Sequence, residues 1–287
     1  MALKDKVVVV TGAARGMGRA FVDGFLEAGA KVVGLDLSWR PSGASNDDDD
    51  GWTSRMESRS DVLTLTCDIT HEDEVKQAYD AAIARFGTVH ALCNNAGMLQ
   101  RHLFPPGGPV SILDDTTNND FRKMYEVSVF GTLLVTRYFV QPMRKQRSGS
   151  IFSVASNGVL LRSEGGAYSL FRPTSREQPY MSSKAALTNL MCFLGEELRE
   201  ENVAVNILLP LHTRSTGFDE WEKAYLNTGG RQPQTPYHPN HLQPIGCFLA
   251  DQDVASGNTA KVWNASVWLP EQGYPLAQWL SPDPKIW

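Results

Sequence analysis

Residues 6–36 read KVVVVTGAARGMGRAFVDGFLEAGAKVVGLD, and the alternation within this stretch decides the fold. Residues 6–10, Lys6 and four valines, read as a buried strand, and Thr11-Gly12-Ala13-Ala14-Arg15-Gly16-Met17-Gly18 follows without a spacer. Phe21, Phe25 and Ala28 then recur at helical spacing as far as Gly29, and residues 31–35 make a second apolar strand closing on Asp36. A strand, a glycine turn, a helix and a strand let backbone N–H groups approach a pyrophosphate while the helix start supplies positive potential. Gly12, Arg15, Gly16, Met17 and Gly18 are therefore candidate cofactor contacts, with Asp36 and Leu37 at the end of the second strand. A carboxylate there can accept both adenosine ribose hydroxyls and repels a 2′-phosphate, so NAD is expected over NADP, with Arg40 close enough to oppose that choice. Glycine turns also serve purely structural ends; the strand before this one and the helix after it favour the ligand reading.

The alternation continues outward. Residues 61–66, 89–93, 151–155, 203–209 and 261–264 read as further strands. Val75, Ala78, Tyr79, Ala82, Ile83 and Phe86 keep helical spacing, and Phe121, Met124, Tyr125, Ser128, Thr132, Val135 and Phe139 form one inward stripe on a helix beginning near Thr117. The expected architecture is α/β: one doubly wound, mostly parallel Rossmann-type sheet with helices on both faces, a single domain over residues 1–287. Residues 38–60, with Pro41, Gly43 and four consecutive aspartates, read as a solvated surface loop with at most a frayed helix. The loop at 99–116 leaves the carboxyl end of a strand, where ligands bind in open α/β sheets, and the loops at 162–179 and 211–239 are further candidates for contact with substrate.

A formal net charge of −5 argues against nucleic acid as a partner, which would call for a basic face. No apolar run has the length of a membrane span. Residues 1–10 are too short and wrongly flanked for a signal peptide. Cys67, Cys93, Cys192 and Cys247 are scattered, as suits reduced thiols in a cytoplasmic protein. Asn264-Ala-Ser266 matches a glycosylation sequon that has no meaning without secretion. His238 and His241 are spaced to share a metal, but no third ligand lies in register, so an exposed helix start is expected and no metal.

Tyr180 and Lys184, in YMSSK, lie four apart and share a helical face. An ammonium beside a phenol favours the phenolate, and such a phenol exchanges protons with an alcohol or ketone near neutral pH. Such pairs also occur on plain surface helices, so this one gains meaning only from the glycine turn. Ser156, delivered by the fifth strand, could by itself merely cap a turn.

Together these motifs resemble the short-chain dehydrogenase/reductase family: Thr11, Gly12, Gly16 and Gly18 after the first strand, Asn94 to Gly97 after the fourth, then Ser156, Tyr180 and Lys184, in family order. The resemblance implies reversible hydride transfer between NAD and a secondary alcohol or ketone. It makes Tyr180 the acid/base, Ser156 the hydrogen-bond partner of the substrate oxygen, and Lys184 the group that lowers the Tyr180 pKa and holds the nicotinamide ribose. It places Asn95, Ala96 and Gly97 along the cleft, Cys67, Asp68 and Ile69 at the adenine, and Pro210, Thr213 and Ser215 at the carboxamide. It also implies a homodimer or homotetramer built on the helices beginning near Thr117 and Pro179. The Leu, Phe, Tyr and Trp content of the substrate loops points to a small apolar substrate, cyclic or aromatic.

The chain departs from that family pattern in several places. Ser128 stands where the family has an Asn that holds a water connecting the Lys to solvent. Leu211 replaces the Gly of Pro-Gly, and Val262-Trp263-Asn264-Ala265 replaces Val-Asp-Gly-Gly. Tyr180 follows Ser156 by 24 positions, about double the family's usual separation. The intervening insertion holds Tyr168 and Arg172, rejected as an acid/base pair because arginine does not exchange its proton and Arg172 precedes a proline. The tail carries Trp268, Tyr274, Trp279 and Trp287, which pack either on their own chain or against a neighbour's site. Two rival readings stand beside the dehydrogenase: a non-redox enzyme on the same fold, and a cofactor-binding regulator without turnover.

Overall fold

The computed structural model describes residues 3–39, 51–99, 103, 111–159, 178–215, 218, 219, 222, 226 and 235–281. Its strands are β1 (Val7–Thr11), β2 (Lys31–Asp36), β3 (Val62–Thr66), β4 (Ala91–Asn94), β5 (Gly149–Val154), β6 (Val203–Leu209) and β7 (Lys261–Asn264). They form one seven-stranded sheet in the order β3-β2-β1-β4-β5-β6-β7, and every neighbouring pair is parallel. The order reverses at β1, which pairs with both β2 and β4, and a crevice opens beyond the carboxyl ends of β1 and β4 at such a switch point.

The four valines of β1 are at most 2% exposed because both faces of the sheet are covered. Val8 and Val10 join one core with α1 (Gly16–Glu27), while Val7 and Val9 join the other with α3 (Glu72–Phe86). In the first core Phe21, Phe25 and Phe152 meet with centroids 5.6–6.5 Å apart. Burying each such ring is worth about 1.5–3 kcal/mol. Helix α7 (Leu242–Ala250) closes on α1 through Gly246, where a Cβ would come within 2.6 Å of the Phe21 ring. The second core packs α3, α5 (Thr132–Gln146) and α6 (Tyr180–Glu197) on the opposite face.

Two elements differ from the sequence reading. Residues 38–60 were expected to be solvated, yet Trp39, Trp52 and Met56 are buried and a helix, α2 (Trp52–Glu57), forms. The Trp39 and Trp52 rings stack 6.4 Å apart. Their indole N–H groups donate to the Leu65 carbonyl at 2.9 Å and the Asp23 carboxylate at 2.8 Å, so two aromatics anchor an otherwise polar stretch. Arg40 and the run Asp47 to Asp50 lie outside the described residues. The second difference is the helix from Thr117. A capping box of Thr117 and Asp120 starts α4 (Asn118–Tyr125) as the sequence indicates, but a π-helical segment, Glu126–Gly131, intervenes before α5. The single stripe is therefore broken: Met124, Ser128, Val129, Gly131 and Thr132 are buried, whereas Phe121 and Tyr125 are only half-buried.

The aromatic tail packs on its own chain as far as it is described. Rings of Trp263, Phe248, Trp268, Tyr274, Trp279, His241 and Tyr237 follow one another at 5.0–6.4 Å around α7 and α8 (Ala265–Glu271). Trp287 lies outside the described residues.

Candidate active site

The switch-point crevice is stitched by side chains from both flanking strands. Thr11 Oγ1 accepts from the Asn95 and Ala96 N–H groups at 3.0 and 2.9 Å, and Asn95 Nδ2 donates to the Thr11 and Gly12 carbonyls at 3.0 and 3.1 Å. Gly12 and Gly16 have φ of 63° and 54°, and a Cβ on Gly18 would fall 1.8 Å from the Gly12 oxygen. Only glycine allows α1 to start so tightly against the turn. No side chain caps α1, so its first N–H groups face the crevice in the way an anion requires. Asn95 Oδ1 is also buried without a partner among the described residues. These features fit a dinucleotide.

At the end of β2, Asp36 is 8% exposed, and its carboxylate accepts from the Ala14 and Ser38 N–H groups at 2.9 and 3.2 Å. Arg15 Nη2 lies 3.7 Å from the same carboxylate and donates to the Ser38 carbonyl at 3.4 Å. The sequence treats Arg15 only as part of the turn; the structure makes it the counter-charge of Asp36. Leu37 is 66% exposed beside it, while Met17 packs against the α1 core. On β3's far side, burial and the Glu74 and Asp68 charges push the Cys67 thiol up to about 12. Cys67 and Ile69 belong to the second core, so what they offer the crevice is backbone. The Asp68 carboxylate accepts from Thr70 N–H at 2.9 Å and from Thr70 Oγ1 at 2.8 Å, bracing the turn into α3.

Helix α6 begins at Tyr180 and brings Lys184 one turn later onto the ends of β4 and β5. Lys184 is 4% exposed; its Nζ donates to the Val154 carbonyl at 2.8 Å and lies 3.3 Å from where a Gly97 Cβ would stand. The same nitrogen is 5.9 Å from the centre of the Tyr180 ring. Burial lowers the Lys184 pKa to about 8. Ser156 follows β5, and its hydroxyl accepts from Gly158 N–H at 3.3 Å. It thus caps a turn, as a lone serine would, yet its proton remains available to donate. That turn, Asn157–Val159, packs against α6, as does the π segment. Ser128 within the π segment is fully buried, and its hydroxyl has no partner among the described residues.

The loop after β6 closes the crevice from the third side. Pro210 and Leu211 are half-buried; Thr213 Oγ1 donates to the Leu211 carbonyl at 2.8 Å, and Ser215 Oγ accepts from Phe218 N–H at 3.1 Å. A Cβ on Gly16 would touch the Ser215 Cβ at 3.8 Å, so the loop reaches across to the glycine turn. Arg214, in the same loop, is 2% exposed and carries no sequence signal of its burial. Its acidic partners lie five and eight residues on, a spacing that carries no helical or strand signal.

His241 corrects another expectation. It is not at an exposed helix start but fully buried, with Nδ1 2.7 Å from the His238 carbonyl and Nε2 unpartnered among the described residues. Burial lowers its pKa to about 4, so the ring is neutral. Among the described residues no three His, Cys, Asp or Glu side chains gather as a metal site, and no helix is long and apolar enough to cross a membrane. Tyr168 and Arg172, and most of the 99–116 and 162–179 loops, lie outside the described residues.

The chain as a whole is similar to known proteins. A family model described as short chain dehydrogenase matches residues 6–225. Fluoren-9-ol dehydrogenase of Terrabacter sp. (strain DBF63) is 44% identical over 283 residues, 97% of this chain and 77% of that protein. Momilactone A synthase of Oryza sativa subsp. japonica is 29% identical over 271 residues, covering 91% and 89% of the two chains. The crystal structure of 3-ketoacyl-(acyl-carrier-protein) reductase from Brucella melitensis complexed with NADH matches with a TM-score of 0.71 at 25% identity, over 92% of this chain and 97% of that one.

Proposed function

We propose, on the premise that this chain belongs to the short-chain dehydrogenase family of oxidoreductases, that it interconverts a flat, apolar secondary alcohol and its ketone using NAD. The observation that carries the proposal is the buried Lys184 ammonium placed against the Tyr180 ring at the ends of β4 and β5. The substrate class rests on the identity to a protein named fluoren-9-ol dehydrogenase and on the apolar content of the loops at 99–116, 162–179 and 211–239.

The α1 start with Gly12, Gly16 and Gly18 would hold the cofactor, Asp36 would meet its adenosine ribose, and Asn95, Ala96, Gly97 and the 210–215 loop would line the rest of its site. Bound there, it would supply the acceptor or donor of the hydride. Tyr180 takes the hydroxyl proton of the alcohol in one direction and returns it to the ketone oxygen in the other. Ser156 donates a hydrogen bond to that oxygen as negative charge develops on it. Lys184 supplies positive charge that stabilises the Tyr180 phenolate and offers its remaining N–H donors to the nicotinamide ribose. The chain assembles as a homodimer or homotetramer in the cytoplasm through the faces carrying Phe130 and Phe193, which are 54% and 70% exposed. A monodisperse monomer in light scattering would remove that part of the reading.

The deciding experiment incubates the protein with NAD and a panel of fluorenol-like and other cyclic alcohols while NADH absorbance is followed. Turnover of aromatic secondary alcohols supports the proposal. Tight NADH binding without turnover on any alcohol or ketone supports the regulator instead, a reading that rests on Ser128 standing where the family has Asn.

A further inference from the structure

Arg214 is the most deeply buried cation among the described residues that the proposed reaction leaves unused, at 2% exposure. A guanidinium in such a place needs partners for its charge and its N–H donors. Two N–H groups converge on one backbone oxygen: Nε and Nη2 donate to the Ser281 carbonyl at 3.2 and 2.8 Å. The other face of the fork serves the chain just past the loop: Nη1 donates to the Asp219 carboxylate and lies 3.6 Å from Glu222. Its carbon also sits 5.8 Å from the centre of the Phe218 ring.

Backbone pairing reinforces the same junction. Tyr237 bridges Thr213 in parallel and Leu280 in antiparallel fashion, with Arg214 N–H donating to the Tyr237 carbonyl at 2.8 Å and Ser281 N–H to the Pro236 carbonyl at 2.9 Å. Three segments distant in sequence therefore form a short three-ply ribbon beneath the loop that faces the glycine turn through Ser215. The planar five-donor fork is what lets a single side chain hold a carbonyl and a carboxylate on opposite sides; an ammonium has no such geometry.

We propose that Arg214 is a positioning residue that ties the C-terminal run to the 210–215 loop, making Ser281 a working part of the nicotinamide end of the cofactor site. This rests on the cofactor reading above and adds to it the element that sets the loop's place.

The test compares dissociation constants for NADH and for ADP-ribose, which shares the adenosine and pyrophosphate but lacks the nicotinamide. It uses the wild type, Arg214→Met, Arg214→Lys, and chains ending at Leu280 or at Pro282. Loss of a charged hydrogen-bond pair at the loop should weaken NADH about tenfold or more in Arg214→Met and in the chain ending at Leu280, with ADP-ribose unchanged within about twofold. The chain ending at Pro282 keeps the accepting carbonyl and should match the wild type; Arg214→Lys should recover only part of the loss. Equal weakening of both ligands would reduce Arg214 to a general brace of the fold, and unchanged NADH affinity would remove the coupling; either overturns the inference while leaving the cofactor reading intact. A wild type that binds neither ligand would sink the cofactor reading, and this inference with it.

Discussion

The Lys184 ammonium stands 5.9 Å from the centre of the Tyr180 ring while donating to the Val154 carbonyl at 2.8 Å. The carbonyl fixes where the charge sits, and α6 fixes which phenol meets it. Tyr180→Phe removes one proton donor and little volume, so turnover should fall at least about 100-fold with NADH affinity nearly intact. Tyr168→Phe should keep substantial activity. Steady-state rates and NADH titration of both variants check this, and the reverse pattern would name the other tyrosine.

Lys184 also sets a pH dependence whose sign is fixed by its burial. Its pKa falls from 10.5 to about 8 on folding, so above about 8 the folded protein sheds a proton that the unfolded chain retains until 10.5. Stability should therefore rise with pH across that interval. Lys184→Met should abolish turnover yet raise stability at neutral pH by about 1–3 kcal/mol, less what is lost when Val154 gives up its donor. Thermal unfolding of wild type and variant between pH 7 and 10 reads both effects.

Asp36 is held by two backbone N–H groups and faced by Arg15. Asp36→Ala should weaken NAD binding, and Asp36→Ser should shift preference toward NADP, because it frees Arg15 to meet a 2′-phosphate. The ratio of kcat/KM for the two cofactors measures the shift. A wild type that already prefers NADP would show that Arg15 outweighs the carboxylate.

The Ser128 hydroxyl is buried with no partner among the described residues, and on the proposed reading a bound water supplies one. Ser128→Asn should change turnover only modestly, whereas Ser128→Ala, which takes a partner from that water, should cost up to roughly tenfold. Restoration of activity by Ser128→Asn in an otherwise inactive wild type would mean that the natural proton path is broken.

His241 should make the protein acid-sensitive. Its pKa drops from 6.5 to about 4 on burial, so the unfolded chain takes up a proton first as pH falls through 6.5. The resulting loss of stability builds up toward pH 4 and amounts to about 3 kcal/mol. His241→Phe, which keeps a ring between Tyr237 and Trp279, should flatten that decline in unfolding experiments between pH 7 and 4.

The sheet was legible because its strands are nearly continuous apolar runs, as strands covered on both faces must be; VVVV in β1 and VAVNILL in β6 leave no other reading. The Tyr180–Lys184 pair was legible because helical spacing is local. What the sequence concealed depends on partners remote in the chain. Arg214 is decided by a carbonyl at position 281, and Trp39 by the Leu65 carbonyl and Trp52 across a polar insertion. The His241 burial follows from the tail's ring stack, and its short local signal, a proline-led turn, reads equally well as surface. The π segment is hidden because the apolar residues on either side of it still fit an unbroken 3.6-residue period.

That segment gives the long helix one place where chain length is negotiable. A π turn carries a residue more than an α turn spanning the same rise, so taking one out of residues 126–131 would leave an ordinary turn and keep Met124 and Phe139 on their present faces. Anywhere else between Asn118 and Gln146, the same loss would swing every following side chain by about 100° and strip the core of a face. Ser128 sits in that spare turn. A gene losing one codon there would yield a chain that still folds, with its sheet and both cores intact, and with the buried hydroxyl beside α6 displaced.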